Sequence, residues 1–320
     1  MKRLWSAALL AIFLCTAPLN AQAEELLIPV GEVIGLQLLD DTVTVAAYDD
    51  VYGWAAREAG LKIGDQLLKI DEIRVTCAED VRAALERCGG SARVTVCRGG
   101  KNQTLTVTPA GTGKDARLGV YLRQGIAGIG TVTFYDPDSG TFGTLGHGVS
   151  DSRGELLRMR SGSAYPVRIQ SVKKGKCGEP GQLKGTAEGA DALAKLEKNT
   201  PQGVFGTTSQ GWKGEPLPVA EPEEIHPGTA AIRCAVTGQV QEYSVEILKV
   251  YSKDRSDGRN LLLKITDPTL LEATGGIVQG MSGSPIIQDG KIIGAVTHVL
   301  VNDPTTGYGI FIENMLDAAG

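Results

Sequence analysis

Short apolar runs broken by glycine-containing turns recur along most of this chain, and that pattern predicts strands. Beyond Ala116 the runs are Gly130–Tyr135, Tyr165–Val172, Ala230–Thr237, Tyr243–Val250, Asn260–Ile265, Ser284–Gln288 and Lys291–Val301. Many short strands with Gly turns point to an all-β barrel or a pair of barrels. The stretch from Lys173 to Thr229 breaks the pattern. It is rich in Gly, Pro and charge and reads as a long functional or mobile loop, with a short helix over Ala190–Lys198.

The first third of the chain is patterned differently. Val43–Ala47 is strand-like, a short helical turn in the run from Gly53 stops at Gly60, and Gly64-Asp65 turns the chain into a strand Gln66–Ile70. Ala78–Cys88 has helical spacing, with Val81, Ala84, Leu85 and Cys88 on one side and Gly89-Gly90 at its end. Strands Arg93–Arg98 and Asn102–Thr108 follow around Gly99-Gly100. The run Ala59-Gly60-Leu61-Lys62-Ile63-Gly64-Asp65-Gln66-Leu67-Leu68-Lys69-Ile70 resembles a PDZ domain, and residues 26–109 fit its length. The resemblance implies capture of a peptide C-terminus as an added strand. By position, Ile34-Gly35-Leu36-Gln37 would be the loop that holds the carboxylate. Residues 109–114 read as a linker.

Composition narrows the class. Aromatics are 5% and glycines number 42, which fits turn-rich β structure better than a helical bundle. The formal net charge of −5 carries no long basic run, so nucleic acid is not an expected partner. Lys2 and Arg3, the apolar run Leu4–Leu19 and Ala21-Gln22-Ala23 read as an export signal over 1–23. The protein is expected outside the cytoplasm, either freed by cleavage after Ala23 or anchored by an uncleaved signal. Cys15 follows Leu14 rather than a small residue, which argues against a lipoprotein site. Beyond the signal, Cys77, Cys88, Cys97, Cys177 and Cys234 are odd in number and lack C-x-x-C spacing. They read as small apolar residues, with a pairing among the first three left open. No metal or cofactor is expected.

Candidate chemistry centres on Gly280-Met281-Ser282-Gly283-Ser284-Pro285. A serine hydroxyl needs a base, a group that orients the base, and donors for an oxyanion. Glycines beside Ser282 permit a turn that presents its hydroxyl and aims the N–H groups of Gly280 and Ser282 at one point. Ser284 is the local competitor. The run resembles the G-x-S-G-x-P segment of chymotrypsin-like peptidases, and the following strand–turn–strand resembles their cleft wall. Of three histidines, His226 lies beside a proline in the irregular segment and His298 lies in the strand after the nucleophile. His147, between Gly146 and Gly148, is the favoured base. In chymotrypsin-like folds the strand carrying Thr297 and His298 flanks the primary specificity pocket, so both are candidate substrate contacts. His298 there would donate to a Gln or Glu side chain.

Leu145-Gly146-His147, Asn199–Gly206, Ile265-Thr266-Asp267 and Gly275–Glu313 together resemble the SpoIVB peptidase family of spore-forming bacteria. The resemblance implies a triad of His147, Asp267 and Ser282. It also implies a chymotrypsin-like double β-barrel over 115–320 behind the PDZ-like α+β domain, a mainly β fold overall. Family members act between mother cell and forespore. They cleave a membrane-associated regulator of an intramembrane protease and so release a late sigma factor; some cleave themselves. Departures are Gly148, where a larger residue is usual, and a shorter N-terminal part. Asp267 precedes Pro268 and is equally a good helix N-cap, with Asp151 as the alternative carboxylate. A reading from another class is a non-catalytic PDZ peptide-binding signalling protein. An HtrA-type protease ranks lower, because there the PDZ domain follows the peptidase.

Overall fold

The computed structural model describes residues 25–151, 154–255 and 257–320. The expected export signal lies outside the described residues. In chain order the elements begin with β1 (Leu26–Pro29), β2 (Val33–Tyr48), α1 (Gly53–Glu58), β3 (Gln66–Ile70), β4 (Ile73–Arg74) and α2 (Ala78–Arg87). They continue with β5 (Ala92–Arg98), β6 (Lys101–Val107), β7 (Val120–Tyr135), β8 (Thr141–Thr144), β9 (Ser161–Lys173) and β10 (Gln182–Ala187). Next come β11 (Ala194–Thr200), β12 (Gly203–Thr207), β13 (Leu217–Pro218), β14 (Gly228–Cys234), β15 (Gln241–Val250) and β16 (Leu261–Ile265). The chain ends with α3 (Pro268–Thr274), β17 (Pro285–Gln288), β18 (Lys291–Leu300), β19 (Asp303–Phe311) and α4 (Ile312–Ala319).

The fold is mainly β and carries two barrels. The second closes in the order β14-β15-β16-β19-β18-β17. Its strands alternate as a barrel wall must: in β15, Tyr243, Val245 and Ile247 point into the core, while Ser244 and Glu246 face out. The first barrel is a cycle within the larger sheet, β7-β8-β12-β11-β9-β2, closed by a further pairing of β2 with β7. Phe142, Val132, Leu36 and Leu196 fill it.

β2 and β7 are long antiparallel strands shared by two bodies. Val33–Leu38 pairs with Thr131–Ile126 in the first barrel, whereas Val43–Tyr48 pairs with Gln124–Val120 beside the α/β segment. That segment has its own core of Val43, Val45, Leu61, Leu67, Val81 and Val94. The Gly64-Asp65 turn is locked there, because buried Asp65 takes two bonds from Arg98, 2.7 and 2.6 Å long. α2 buries Val81, Ala84 and Leu85, the face its spacing predicts.

Three expectations are corrected. Ile34-Gly35-Leu36-Gln37 is not a loop. It lies inside β2 with β7 on one edge and β9 on the other, so its N–H groups face paired strands and cannot hold a carboxylate. Its apolar side chains explain the difference, since Ile34 and Leu36 are buried in the barrel core. Residues 173–229 are not one long loop but carry β10 to β13. Within them Ala190–Lys198 is not helical. Ala194 and Leu196 face inward while Lys195 and Glu197 are exposed, a period of two that pairs β11 with β9 and β12. All five described cysteines are free thiols.

Candidate active site

A cavity of about 440 Å³ opens between the barrels, and His147, Gly280, Ser282, Thr297 and His298 line it together. Its remaining walls are largely apolar, with Leu36, Leu145, Ile277, Val278 and Val299 among them.

Ser282 sits on a turn between α3 and β17 whose shape depends on glycine. Gly280 has φ +102° and Gly283 φ +95°. A Cβ on Gly283 would lie 2.5 Å from Leu145 N and collide with the Thr131 carbonyl. Hydrogen bonds pin the turn on both sides. Gly283 N–H donates to Val296 O at 2.7 Å, and Val296 N–H donates to Ser284 O at 2.9 Å. From β7, Thr131 N–H donates to Ser282 O at 2.9 Å. The Thr131 hydroxyl donates to Gly280 O at 2.7 Å, and the Thr133 hydroxyl to Gly283 O at 2.8 Å. Both threonines are fully buried, as is Thr144, whose hydroxyl donates to Thr131 O at 2.6 Å. Among the described residues the N–H groups of Gly280 and Ser282 have no hydrogen-bond acceptor. Ser284 is buried with its hydroxyl on Met281 O at 2.7 Å, so it supports the turn. The Ser282 hydroxyl reaches the cavity and donates to Thr297 O at 2.9 Å.

His147 follows a tight reversal in which Leu145 has φ +70° and Gly146 φ +67°. A leucine held there costs about 1–2 kcal/mol. Gly148 has no room to be larger, because a Cβ would meet the Leu156 side chain and lie 2.7 Å from Thr200 O. Asn199 of β11 then holds the loop. It accepts from Val149 N–H and donates to Val149 O and Leu157 O, each at 2.9 Å. The ring Nδ1 lies 2.9 Å from Gly148 O, an acceptor that suits an N–H and leaves Nε2 toward the cleft. Burial lowers the His147 pKa from its ordinary value, partly opposed by the Gly148 carbonyl.

The structure brings together His147, Ser282, Gly280, Thr297, His298 and Leu36, but not every residue singled out in the sequence. Asp267 stands at the N-cap of α3, where Oδ1 accepts the Leu270 N–H at 3.0 Å. It does not line the cavity, and no hydrogen bond joins it to His147. The Asp-Pro start of α3 explains this, since the carboxylate is consumed by the cap. Asp151 accepts the Glu155 N–H at 3.1 Å and lines another cavity, with Gln37 and Arg123. His226 is exposed and pairs with Asp289 at 2.9 Å, away from the cleft. Thr131 and Thr133 of β7, which brace the turn, are not among the residues the sequence motifs single out. Their signal was two hydroxyls at alternate positions of a strand otherwise apolar at Val132 and Phe134.

A presented serine, a histidine whose Nδ1 lies on Gly148 O and, among the described residues, two unpartnered N–H donors at one cavity fit a serine peptidase. The family model described as SpoIVB peptidase S55 matches residues 114–316, and the chain belongs to that family. Over 105 residues it is 37% identical to "Putative zinc metalloprotease Atu1380" of Agrobacterium fabrum, a match covering 32% of this chain. The aligned part spans 27% of that protein's length. Among solved structures, the Rv3671c protease from M. tuberculosis in its active form aligns with TM-score 0.36 and 15% identity. That alignment covers 62% of this chain and 75% of the other. The inactive form of the Rv3671c protease aligns with TM-score 0.34 and 15% identity, over 61% and 85% of the two chains.

Proposed function

We propose that this serine peptidase is an exported endopeptidase of sporulation signalling that cleaves a membrane-associated regulator of an intramembrane protease. The observation that carries the catalytic part is that His147, Ser282 and Gly280 line one cleft, the Gly280 and Ser282 N–H groups having no acceptor among the described residues. His147 Nε2 takes the Ser282 proton as the hydroxyl leaves Thr297 O and attacks the scissile carbonyl. The two N–H groups receive the oxyanion. The same imidazolium protonates the leaving amine, and water then releases the acyl group by the reverse steps. His147 suits this role better than His298, because Gly148 O stabilises its Nδ1–H while His298 Nδ1 is buried without a partner among the described residues.

Asp267 contributes through α3 in this reading. The helix ends at Gly275, and the segment after it, Ile277–Gly280, forms one wall of the cleft. The sporulation pathway rests on the family and on the expected export signal. Among the described residues no helix is long and apolar enough to cross a membrane. The α/β segment is read as a PDZ-like module for a peptide C-terminus. Among the described residues, β7 pairs between Val120 and Gln124 with β2 alone, which leaves an edge for strand addition.

The test combines a spore-forming host with purified components. A strain lacking the peptidase should regain sporulation with the wild-type chain and not with Ser282→Ala. The purified protein should cut the regulator's extracytoplasmic part. Cleavage by Ser282→Ala would refute the mechanism. Complementation by Ser282→Ala would favour the peptide-binding module.

A further inference from the structure

His298 lies in the cleft with no task in the chemistry above. The pairing of β18 with β19 slips between Val296 and His298, so Thr297 is an extra residue in a β-bulge. The bulge is held by the Thr297 hydroxyl on Tyr308 O at 3.1 Å and by the Ser282 hydroxyl on Thr297 O at 2.9 Å. It sets the His298 ring in the cavity lining, 5.3 Å from the His147 ring. His298 thus lines the cavity that holds both catalytic groups, one residue beyond the carbonyl that receives the Ser282 hydroxyl.

The protonation state of that wall follows from its surroundings. His298 Nδ1 is buried with no hydrogen-bond partner among the described residues. Of the two neutral tautomers, the one with its proton on Nε2 places the donor on the nitrogen left for the cleft, where a substrate acceptor can meet it. Burial, helped by His147 and Arg259, lowers the pKa to about 4, so the ring is neutral at neutral pH. Around it the lining is apolar, through Leu145, Ile277, Val278 and Val299.

We propose that His298 selects glutamine as the residue preceding the scissile bond, its Nε2–H donating to the side-chain carboxamide oxygen; this rests on the peptidase reading above. The apolar walls accommodate the methylene stem. A glutamate would bring a charge into a largely apolar cleft whose imidazole is neutral, and Arg259, the cation acting on His298, does not line the cavity. A leucine would leave Nε2–H without an acceptor once water is expelled, and that missing bond costs discrimination.

The experiment measures kcat/KM for peptides differing only at that residue, Gln, Glu, Leu or Ala, with active sites counted by a fluorophosphonate probe. The wild type should favour Gln over Leu and over Glu by about tenfold or more. In His298→Leu the Gln-to-Leu ratio, read within one enzyme sample so that lost folded protein cancels, should fall to about one or invert. A wild type that labels but prefers Leu or Glu overturns the glutamine assignment and leaves the peptidase reading standing. An unchanged ratio in His298→Leu also overturns it. If the wild type neither labels nor cleaves, both readings fall. Should His298→Leu not fold, the wild-type profile alone still decides.

Discussion

The Thr131 hydroxyl on β7 donates to the carbonyl of Gly280 at 2.7 Å, a bond between residues 149 positions apart that ties the first barrel to the turn presenting Ser282. It fixes the plane of the peptide following an oxyanion donor. Both partners are buried, so removing the hydroxyl leaves a carbonyl unsatisfied at a cost of about 1–3 kcal/mol. Thr131→Val should therefore lower kcat by about tenfold or more with KM little changed. Thr131→Ser, which keeps the hydroxyl, should restore most of the rate. Steady-state kinetics alongside thermal unfolding separate this from simple instability. Equal kcat in Thr131→Val and wild type would show that the bond does not shape the oxyanion site.

Asp267 offers a test between two roles. As the N-cap of α3 it is replaceable by Asn or Ser, which cap well, but not by Ala, which should cost about 1 kcal/mol of stability. Activity of Asp267→Asn should stay within about tenfold of wild type. A triad carboxylate changed to Asn would instead lose about 10⁴ in kcat with stability intact. Denaturant unfolding and kcat measured on the same three variants distinguish the roles.

The acid limb of activity follows from His147. Its folded pKa lies below the ordinary 6.5 because burial disfavours the charged ring. The neutral ring is the active base, so activity is retained above the folded pKa and lost as pH falls through it. The midpoint of kcat/KM should lie below pH 6.5. Burial lowers the His298 pKa to about 4. A midpoint above 6.5 would mean that a carboxylate or another group stabilises the imidazolium in the working enzyme.

Asn199 bridges β11 to the loop after His147 through three bonds of 2.9 Å. Asn199→Ala should lower stability by about 1–3 kcal/mol and reduce kcat/KM as the loop loosens. Asn199→Asp keeps the acceptor for Val149 N–H but loses both donated bonds, so it should rescue only part of the loss. Urea unfolding with parallel peptide assays checks both effects.

Much of this architecture was legible in local pattern. Gly280 and Gly283 announced a turn because few residues tolerate such φ values, and the apolar runs of the second barrel appear as strands nearly where expected. What escaped was long-range. Ile34–Gln37 read as a loop because its neighbours in sequence look PDZ-like, yet strands 90 to 132 residues away bind both its edges. Ala194–Thr200 alternates correctly for a strand, but Lys, Glu and Ala also favour helix, and only pairing with β9 and β12 decides. Thr131 and Thr133 look like ordinary strand residues until the other barrel supplies their acceptors. Asp267 shows the converse: its local capping signal, Asp before Pro, determined its place.

The nucleophile itself is tested most directly by labelling purified protein with a fluorophosphonate and locating the adduct by mass spectrometry. The adduct should sit on Ser282, vanish in Ser282→Ala, and form far more slowly in His147→Ala, whose base is gone. Labelling that persists in Ser282→Ala, or that proceeds at the wild-type rate without His147, would contradict the assignment of these two residues.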